Sequence, residues 1–356
     1  MARAERPRRP AVAAACGLVL VLLLSFAPAL AGAAPATSPL QDVLRPNGPQ
    51  AQHIASLWHL MLVVCTLVFV AVMAAVVIAL LRRPRGRLDA PPDLSSLSVP
   101  EPGPHRSVIA ATGVSLVLLL LLIVASVVTD RALANLSTKD ALRLKVTADQ
   151  WWWQVTYDGP PSEVFDTANE IHVPVGRPVL VRLQADDVIH SLWVPSLAGK
   201  KDLIPGRDAT LEFRADKPGV YRGQCAEFCG AEHAWMAFEV VADPPDRFAA
   251  WLDHQRQPAP APTDPLLQKG RTLFVSTTCA MCHAVRGTTA AARHAPDLTH
   301  LASRRTLAAG TLPNTPADLK RWIRDPHQFK PGVNMPATNM PDADLDAIVA
   351  WLGTLS

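Results

Sequence analysis

The sequence predicts a multidomain membrane protein that combines a hairpin of two transmembrane helices, an all-β domain and an all-α C-terminal domain. Two apolar runs, about residues 57–81 and 108–128, are each long enough to cross a bilayer and contain no charged residue. Beyond them, apolar and polar residues alternate with the period of half-buried strands up to about residue 242. The chain ends in apolar residues at helical spacing, and its 356 residues suffice for two or three domains.

Residues 1–33 have the features of a secretory signal peptide. Arginines near the start precede an apolar stretch from Ala11 to Leu30, which ends in small residues with an Ala-x-Ala site. An uncleaved membrane anchor is the alternative. Residues 34–130 are then expected to contain a short exported segment followed by the helix hairpin.

Charge predicts the orientation of the hairpin, because positive residues are retained on the cytoplasmic side of a membrane. The arginines between the two spans are Arg82, Arg83, Arg85, Arg87 and Arg106. The N-terminus and everything after Asp130 are therefore expected on the outer, periplasmic side of a bacterial inner membrane. From residue 131 onward, 24 Lys and Arg stand against 25 Asp and Glu, and this formal charge of −1 predicts no nucleic-acid partner.

The all-β domain is predicted over residues 131–254. Its apolar residues occupy alternate positions in short segments separated by Gly and Pro turns: Leu142, Leu144, Val146 and Ala148, then Ile171, Val173 and Val175, then Val179, Val181 and Leu183, then Leu211 and Phe213, and last Phe238 and Val240. Such a pattern indicates an antiparallel sandwich or barrel in which one face of each strand is buried.

One loop of this domain carries a dense set of soft metal ligands. Cys225, Cys229, His233 and Met236 lie within twelve residues, and His190 precedes Cys225 by 35 residues. Thiolate, imidazole and thioether ligands suit copper. A blue-copper site uses one cysteine, and the second cysteine present here allows the set to bridge two coppers. A disulfide would leave the histidines and methionine to ordinary packing, and a tetrahedral zinc site would leave Met236 unused. Copper is therefore the prediction.

The segments around these ligands resemble subunit II of cytochrome c oxidase. The matching segments are DVIHSLWVPS at 187–196, LIPGR at 203–207, PGVY at 218–221 and the ligand loop at 223–236. The resemblance implies a Greek-key cupredoxin sandwich with a binuclear CuA centre. The ligand loop would then connect the last two strands, and one histidine would come from the end of an earlier strand.

The resemblance also implies the metal ligands, which are His190, Cys225, Glu227, Cys229, His233 and Met236. The two cysteines bridge the coppers and each histidine binds one. The weak ligands are the methionine sulfur and the backbone carbonyl of the glutamate. The glutamate carboxylate would face subunit I and help to bind a magnesium ion there, since magnesium prefers oxygen ligands. A solvated loop carboxylate is the alternative.

An aromatic cluster, QWWWQVTY at 150–157, resembles the aromatic box over CuA in the same family. Trp151 aligns with the residue through which electrons enter from an external cytochrome c. The alternative is an ordinary core or interface aromatic, since this chain carries its own electron donor.

That donor follows a Pro/Ala linker, predicted at 255–265, which is expected to be extended and semi-rigid. In residues 266–356, Cys279, Cys282 and His283 form the Cys-x-x-Cys-His pattern of covalent c-type haem attachment, with the histidine as iron ligand. A redox dithiol is the alternative, but no βαβ pattern surrounds the motif.

The flanks of this motif resemble a small class I cytochrome c. Gly270 and Phe274 precede it on a helix, and APDL at 295–298 matches the stretch whose proline carbonyl orients the iron-bound histidine. The sixth iron ligand is expected to be a methionine. Met335 fits the family pattern Pro-Gly-x-x-Met-Pro better than Met340 does. The remaining histidines of this domain are expected at the surface, namely His294, His300 and His327.

The whole chain after residue 33 resembles subunit II of a caa-type oxidase. The resemblance implies that electrons pass from cytochrome c or a quinol–cytochrome c reductase to haem c, then to CuA and to subunit I, in a complex that also contains subunit III. Oxygen is there reduced to water, coupled to proton translocation. A nitric oxide reductase with the same relay is the alternative. The hairpin and haem domain argue against a copper-delivery protein, and a quinol oxidase subunit lacks the copper ligands.

Overall fold

The computed structural model describes residues 39–82, 94, 102–134 and 138–356. The predicted signal peptide at 1–33 and three of the arginines between the spans (Arg83, Arg85 and Arg87) lie outside the described residues. Two compact units are present: one holds Ser56–Asp130, and the other holds Thr37–Ala55 together with Arg131–Ser356.

The first unit contains most of the two long apolar helices, α1 (Pro49–Arg82) and α2 (Pro102–Leu133). Both extend beyond the predicted apolar runs. At about 1.5 Å per residue each is roughly 50 Å long, more than a hydrocarbon core needs. Their most apolar windows are not buried, as expected for helices that face lipid, and among the described residues they are the candidates for membrane spans.

The all-β domain predicted to bind copper, called the copper domain below, is a sandwich of two five-stranded sheets. It lies within the continuously described residues 138–356. The strands are β1 (Leu142–Asp149), β2 (Trp152–Tyr157), β3 (Phe165–Ala168), β4 (Glu170–Pro174), β5 (Val179–Ala185), β6 (His190–Trp193), β7 (Lys201–Leu203), β8 (Ala209–Phe213), β9 (Gly219–Cys225) and β10 (Ala237–Asp243). One sheet has the order β3-β2-β1-β5-β8, and the other has the order β4-β10-β9-β6-β7. The predicted sandwich of alternating strands is thereby confirmed.

The expectation of a purely antiparallel sandwich is wrong in two places. Strand β1 pairs with β5 in parallel, with Leu142 opposite Val179, and β4 pairs in parallel with β10. Parallel neighbours require a crossover connection. Here the chain between β1 and β5 runs through β2 and β3 and crosses to the other sheet at β4, so β5 starts at the same end as β1.

The core lies between the sheets and is formed by the alternate positions that the sequence indicates. Leu144, Val146 and Val181 are fully buried, with Trp153 and Phe238 in edge-to-face contact at a centroid distance of 5.2 Å. A short helix, α3 (Pro245–Gln255), follows the last strand and packs against this core, in which its Phe248 is buried.

The C-terminal domain predicted to bind haem, residues 266–356 and called the haem domain below, is helical. Its helices are α4 (Pro265–Ser276), α5 (Cys279–Cys282), α6 (Pro316–Arg324) and α7 (Asp342–Leu352), with a two-residue ladder of β11 (Thr306–Leu307) and β12 (Leu312–Pro313). Gly270 of α4 crosses α7 so closely that an added Cβ would lie 2.0 Å from the Ala347 carbonyl oxygen. Phe274 and Trp351 fill the same crossing, with ring centroids 5.3 Å apart. The all-α class of this domain is confirmed.

The connection between the two domains contacts the haem domain. Between α3 and α4 the backbone is largely extended, as the Pro/Ala composition predicts. Ala259 within it is nonetheless buried, and its amide donates to the Arg286 carbonyl at 2.9 Å.

Candidate metal centre and haem site

Three strands bring the predicted copper ligands together. His190 is the first residue of β6, and Cys225 is the last residue of β9. These strands pair antiparallel with Leu192 opposite Cys225, so the histidine and the cysteine lie at the same end of the sheet. Cys229, His233 and Met236 follow on the loop that connects β9 to β10.

The ligand atoms converge on one small volume. The sulfurs of Cys225 and Cys229 are 3.8 Å apart. His190 Nδ1 lies 3.9 Å from the Cys225 sulfur, while His233 Nδ1 lies 3.6 Å and Met236 Sδ 3.9 Å from the Cys229 sulfur. Each cysteine therefore has its own histidine, and the thioether lies on the Cys229 side.

The Glu227 backbone carbonyl completes this arrangement, 3.3 Å from the Cys225 sulfur and thus on the side away from Met236. Its side chain is exposed and borders an open groove that is also lined by Lys200, Asp202, Arg207 and Asp208. The carboxylate is accessible to a partner at this surface.

A carboxylate outside the ligand set fixes the orientation of His190. Asp187 Oδ1 lies 2.8 Å from His190 Nε2, which leaves Nδ1 to face the sulfurs. Burial alone would lower the pKa of His190, but hydrogen bonds with Cys225 and Asp187 raise it. A carboxylate behind a metal-binding histidine selects the tautomer and strengthens the ligand.

The two thiols are electrostatically coupled. Their mutual hydrogen bond, followed by that from His190, lowers the pKa of Cys225 to about 3. The same bond to Cys225, together with burial, raises the pKa of Cys229. These shifts favour the thiolate at Cys225, and thiolate is the form of cysteine that binds a metal.

This donor set fits a pair of soft metal ions. Cys225, Cys229 and Met236 are almost wholly buried, and His190 is completely buried, so the sulfurs and the His190 imidazole face a site from which water is largely excluded. His233 is half-buried at the edge of this site. The separation of the sulfurs is far from the roughly 2.05 Å of a disulfide. A single tetrahedral zinc would leave the thioether and the Glu227 carbonyl unused.

Trp151 lies directly behind the ligand loop. Its indole Nε1 donates to the Cys229 carbonyl at 3.0 Å, and Gln150 Nε2 donates to the same oxygen at 2.7 Å. Trp153, two residues further, is buried with its ring centroid 6.2 Å from that of His190. The aromatic cluster thus contacts the ligand loop at a cysteine and a histidine.

The haem motif forms one short helix. Cys279 and Cys282 begin and end α5, and His283 leaves it with an extended backbone while its amide donates to the Cys279 carbonyl at 3.0 Å. His283 Nδ1 lies 2.7 Å from the Pro296 carbonyl. Burial lowers the pKa of His283, although that hydrogen bond opposes the shift. The neutral ring therefore presents Nε2, the atom that an iron ligand of this kind uses.

The two candidate methionines have different surroundings. Met340 packs against the hydrophobic core of the haem domain. Met335 is half-buried on the loop between α6 and α7, where Lys330 and Gly332 contact the copper domain.

One buried donor supports the fit to a haem. The guanidinium of Arg304 donates to the Asp297 carbonyl, but its buried Nε finds no hydrogen-bond partner among the residues that the structure describes. Burial lowers the pKa of this arginine. A buried cation with a spare donor suits an anionic group, and the propionates of haem are carboxylates.

Several important residues were not predicted from the sequence. Lys330 and Glu232 are buried where the haem domain meets the copper domain, and Arg305 pairs with Glu239 at 2.9 Å in the same interface. No local pattern marks them, because their partners are distant in sequence. The expected surface position of His300 is wrong: it is buried, with its ring nitrogens 2.7 Å and 3.0 Å from the Ser356 and Gln257 carbonyls.

Comparison with known proteins gives matches over both domains. Residues 142–242 match the family described as cytochrome C oxidase subunit II, periplasmic domain, and residues 267–356 match the family described as cytochrome c. The cytochrome c oxidase subunit 2 of Alkalihalophilus pseudofirmus is 36% identical over 320 residues, which are 88% of this chain and 90% of the relative. The protein of the same name from Bacillus sp. strain PS3 is 34% identical over 274 residues, 71% of this chain and 75% of the relative.

A solved structure is also similar. The periplasmic domain of subunit II of cytochrome oxidase from Bradyrhizobium japonicum has 33% sequence identity and a TM-score of 0.30. The match covers 32% of this chain and 93% of that chain.

Proposed function

Because this chain belongs to the cytochrome c oxidase subunit II family and joins a CuA domain to a cytochrome c domain, we propose that it is the electron-entry subunit of a haem–copper oxidase. When bound, haem c and the copper pair take up and release single electrons. Electrons would enter at the haem domain, cross to the copper domain at Trp151 and leave toward subunit I. The chain's own residues hold the two groups in place and break no bond themselves.

The observation that carries this proposal is the contact between the haem domain and Trp151. Trp151 is only 9% exposed, and Lys330 Nζ donates to its carbonyl at 2.9 Å. An external cytochrome c has little access to such a residue. Trp151 is therefore proposed as the entry point into the copper domain, with the chain's own haem domain as its donor.

The positions of these side chains support the proposed ligands. His190, His233, Cys225 and Cys229 would hold the copper pair, with Met236 and the Glu227 carbonyl as weaker ligands. In the haem domain, Cys279 and Cys282 hold the porphyrin and His283 and Met335 bind the iron. Met335 is favoured because Met340 has a packing role in the domain core.

The proposed setting is a bacterial inner membrane with both domains on the periplasmic side. Arg82 in the last turn of α1 and Arg106 in the first turns of α2 favour a cytoplasmic connection between the spans. Subunit I would then receive electrons at the groove beside Glu227, where the exposed carboxylate is available to a shared magnesium ion. Subunit III completes the complex, and cytochrome c or a quinol–cytochrome c reductase is the donor.

Flash reduction tests the relay. In the detergent-solubilised chain carrying copper and haem, the haem is reduced by a photochemical donor and copper reduction is followed over a tenfold dilution. We expect a rate independent of protein concentration, because the linker holds the domains together. A rate proportional to concentration would contradict the proposal. In the purified complex, consumption of oxygen rather than nitric oxide distinguishes an oxidase from a nitric oxide reductase.

A further inference from the structure

We propose that Lys330 and Glu232 form a clamp that holds the methionine loop, residues 330–335 of the haem domain, against Trp151 of the copper domain. The clamp rests on the proposed relay from haem domain to copper domain. It would make these two side chains positioning residues for electron transfer, although neither contacts a metal or the haem.

The lysine half of the clamp reaches from one domain into the other. Lys330 is 2% exposed, and its ammonium donates to the Trp151 carbonyl at 2.9 Å across 179 positions of sequence. Lysine is almost never buried unless it is paired. Burial lowers its pKa to about 8, and the nearby Glu232 opposes that shift. The hydrogen-bond partner of this buried lysine lies in the other domain, so its burial depends on the contact between the domains.

The glutamate half binds the same loop from the copper domain. Glu232 is also 2% exposed, and its Oε1 accepts the Gly332 amide at 2.6 Å. Its Oε2 finds no hydrogen-bond partner within the described ranges. The haem domain therefore contributes the buried Lys330 to the interface and the copper domain contributes the buried Glu232. Their two hydrogen bonds hold Lys330 and Gly332, which are two positions apart in the same loop.

Gly332 allows the loop to approach closely. A Cβ at this position would lie 3.1 Å from Glu232 Oε1, 3.2 Å from the Ala231 Cβ and 3.3 Å from Cη2 of the Trp151 ring. All three distances are tighter than ordinary contacts. The bare backbone thus lies against the indole, which in turn donates to the Cys229 carbonyl at 3.0 Å.

Other contacts attach the haem domain at positions away from Trp151, apart from Asn334 Nδ2, which donates to the Gln150 carbonyl at 3.4 Å. Arg305 donates from Nε to Glu239 at 2.9 Å and from its amide to Glu170 at 3.0 Å, and the Arg286 guanidinium donates to the carbonyls of Gln255 and Arg256. Loss of the clamp should therefore leave the domains attached and alter how the methionine loop lies on the indole.

The charges of the two domains provide a second readout. Residues 131–265 contain 14 Lys and Arg against 19 Asp and Glu (formally −5), and residues 266–356 contain 10 against 6 (formally +4). A clamped interface transfers electrons at a rate that salt hardly alters, because its contacts are buried. A loosened interface relies on attraction between the opposite net charges, which salt screens.

The test compares Lys330→Met with Lys320→Met in the full chain carrying copper and haem. The first variant keeps the aliphatic stem and removes the donor to Trp151. The second makes the same chemical change at a partly exposed lysine that pairs with Asp346 within the haem domain. We expect haem-to-copper transfer to fall about tenfold in Lys330→Met, as for other misplaced reacting groups. It should also become slower as salt rises from about 10 mM to about 0.5 M. Lys320→Met should match the wild type in both respects.

Three further variants keep the test decisive if Lys330→Met fails to fold. Gly332→Ala should displace the loop while keeping both charged side chains, and should slow transfer in the same salt-dependent way. Glu232→Gln retains an oxygen acceptor for Gly332 and should stay within about twofold of the wild type, whereas Glu232→Ala should not. Haem absorbance and copper resonance spectra establish that both centres are intact in each variant.

The outcomes separate the clamp from the relay. If wild-type haem and copper exchange no electrons within the chain, the proposed function fails. If they do, and both Lys330→Met and Gly332→Ala transfer at the wild-type rate and salt dependence with intact spectra, the clamp is overturned.

Discussion

Trp151 and Cys229 are joined by a hydrogen bond of 3.0 Å from the indole Nε1 to the backbone carbonyl of the copper-loop cysteine. The bond places an aromatic ring of the interface on the backbone of the residue that carries a proposed copper-binding sulfur. Gln150 donates to the same oxygen at 2.7 Å, so the loop is held there twice. The indole is therefore one of two donors that hold this carbonyl.

Replacing Trp151 with phenylalanine should separate this structural role from the proposed role in electron transfer. The Cys229 carbonyl keeps its bond from Gln150, so copper content and the resonance spectrum should be unchanged. Loss of the indole donor should cost about 1–2 kcal/mol of stability, and haem-to-copper transfer in flash reduction should slow about tenfold. Trp235→Phe is the control, since that side chain is half exposed on the same loop. Equal rates in both variants would exclude Trp151 from the route.

The copper pair should be lost in Cys225→Ser. A serine oxygen cannot replace a thiolate as a soft bridging ligand, so one remaining sulfur could not hold two coppers at a fixed separation. The wild-type chain should contain two coppers that share one multi-line hyperfine pattern in paramagnetic resonance. Cys65→Ser, on the exposed surface of α1, should retain that pattern. A single copper or a zinc in the reconstituted wild type would refute the assignment.

The sequence is sufficient to predict which ligands converge when they lie close together along the chain. Cys225 to Met236 span one loop, and Cys279 to His283 span one helical turn, so spacing alone limits how far apart their ligand atoms can lie. The strands were predictable for a similar reason, because period-two alternation in Leu142–Asp149 depends only on which face is buried.

Pairing partners and domain contacts could not be predicted in this way. Nothing local in β1 specifies that β5 lies parallel beside it, because that depends on where the chain crosses between sheets. Lys330 has the composition of a surface loop residue and is buried only because another domain, 179 positions away, covers it. His300 is buried for the same kind of reason, by the linker and the chain end.

The two methionines of the haem domain should respond differently to truncation. Met335→Ala should open the sixth iron site, lower the reduction potential and admit carbon monoxide, since a thioether raises the potential of a histidine-ligated haem. Met340→Ala should leave the spectrum unchanged but cost about 1–2 kcal/mol of stability, because it is partly buried in the domain core. Optical spectra with and without carbon monoxide distinguish them. The reverse pattern would mean that Met340 is the ligand.

Gly270→Ala should prevent the haem domain from folding. The new Cβ would lie 2.0 Å from the Ala347 carbonyl oxygen and 2.9 Å from the Trp351 Cβ, so α4 and α7 would have to separate. Overpacking typically costs about 1–3 kcal/mol and occasionally more, and contact with a backbone oxygen puts this substitution at the upper end. Leu266→Ala on the same helix removes a half-exposed side chain and should change stability by less than about 0.5 kcal/mol. Normal haem incorporation in Gly270→Ala would contradict the close crossing.

A buried ion triplet should make the copper domain sensitive to pH. His172 lies 2.9 Å from Glu170 through Nε2 and 2.9 Å from Asp243 through Nδ1, with Trp251 stacked on its ring at 4.1 Å. Only the protonated ring can donate to both carboxylates. Other groups that face this triplet are the Tyr157 hydroxyl, which bonds the His172 backbone, and three charged side chains near Glu170, namely Arg304, Arg305 and Glu239.

The sign of the effect follows from the two pKa shifts. Burial would lower the pKa of His172, but its hydrogen bonds to Asp243 and Glu170 raise it above the ordinary 6.5, so its stabilisation is complete below about pH 6.5 and is lost as pH rises through the folded value. Burial would raise the pKa of Glu170, but the bond with His172 lowers it below 4.5, so its contribution is present above about pH 4.5 and is lost in acid. The triplet therefore stabilises the domain most between these limits.

His172→Gln should remove this pH dependence. The glutamine amide can donate to one carboxylate, but it carries no proton that is released on raising the pH. Thermal unfolding of the full chain in detergent, measured at about pH 5.5 and about pH 8, should show a larger drop in midpoint for the wild type than for the variant. His53→Gln, in α1 and outside the triplet, should behave like the wild type. An equal drop in wild type and His172→Gln would mean that His172 does not hold its proton in the folded domain.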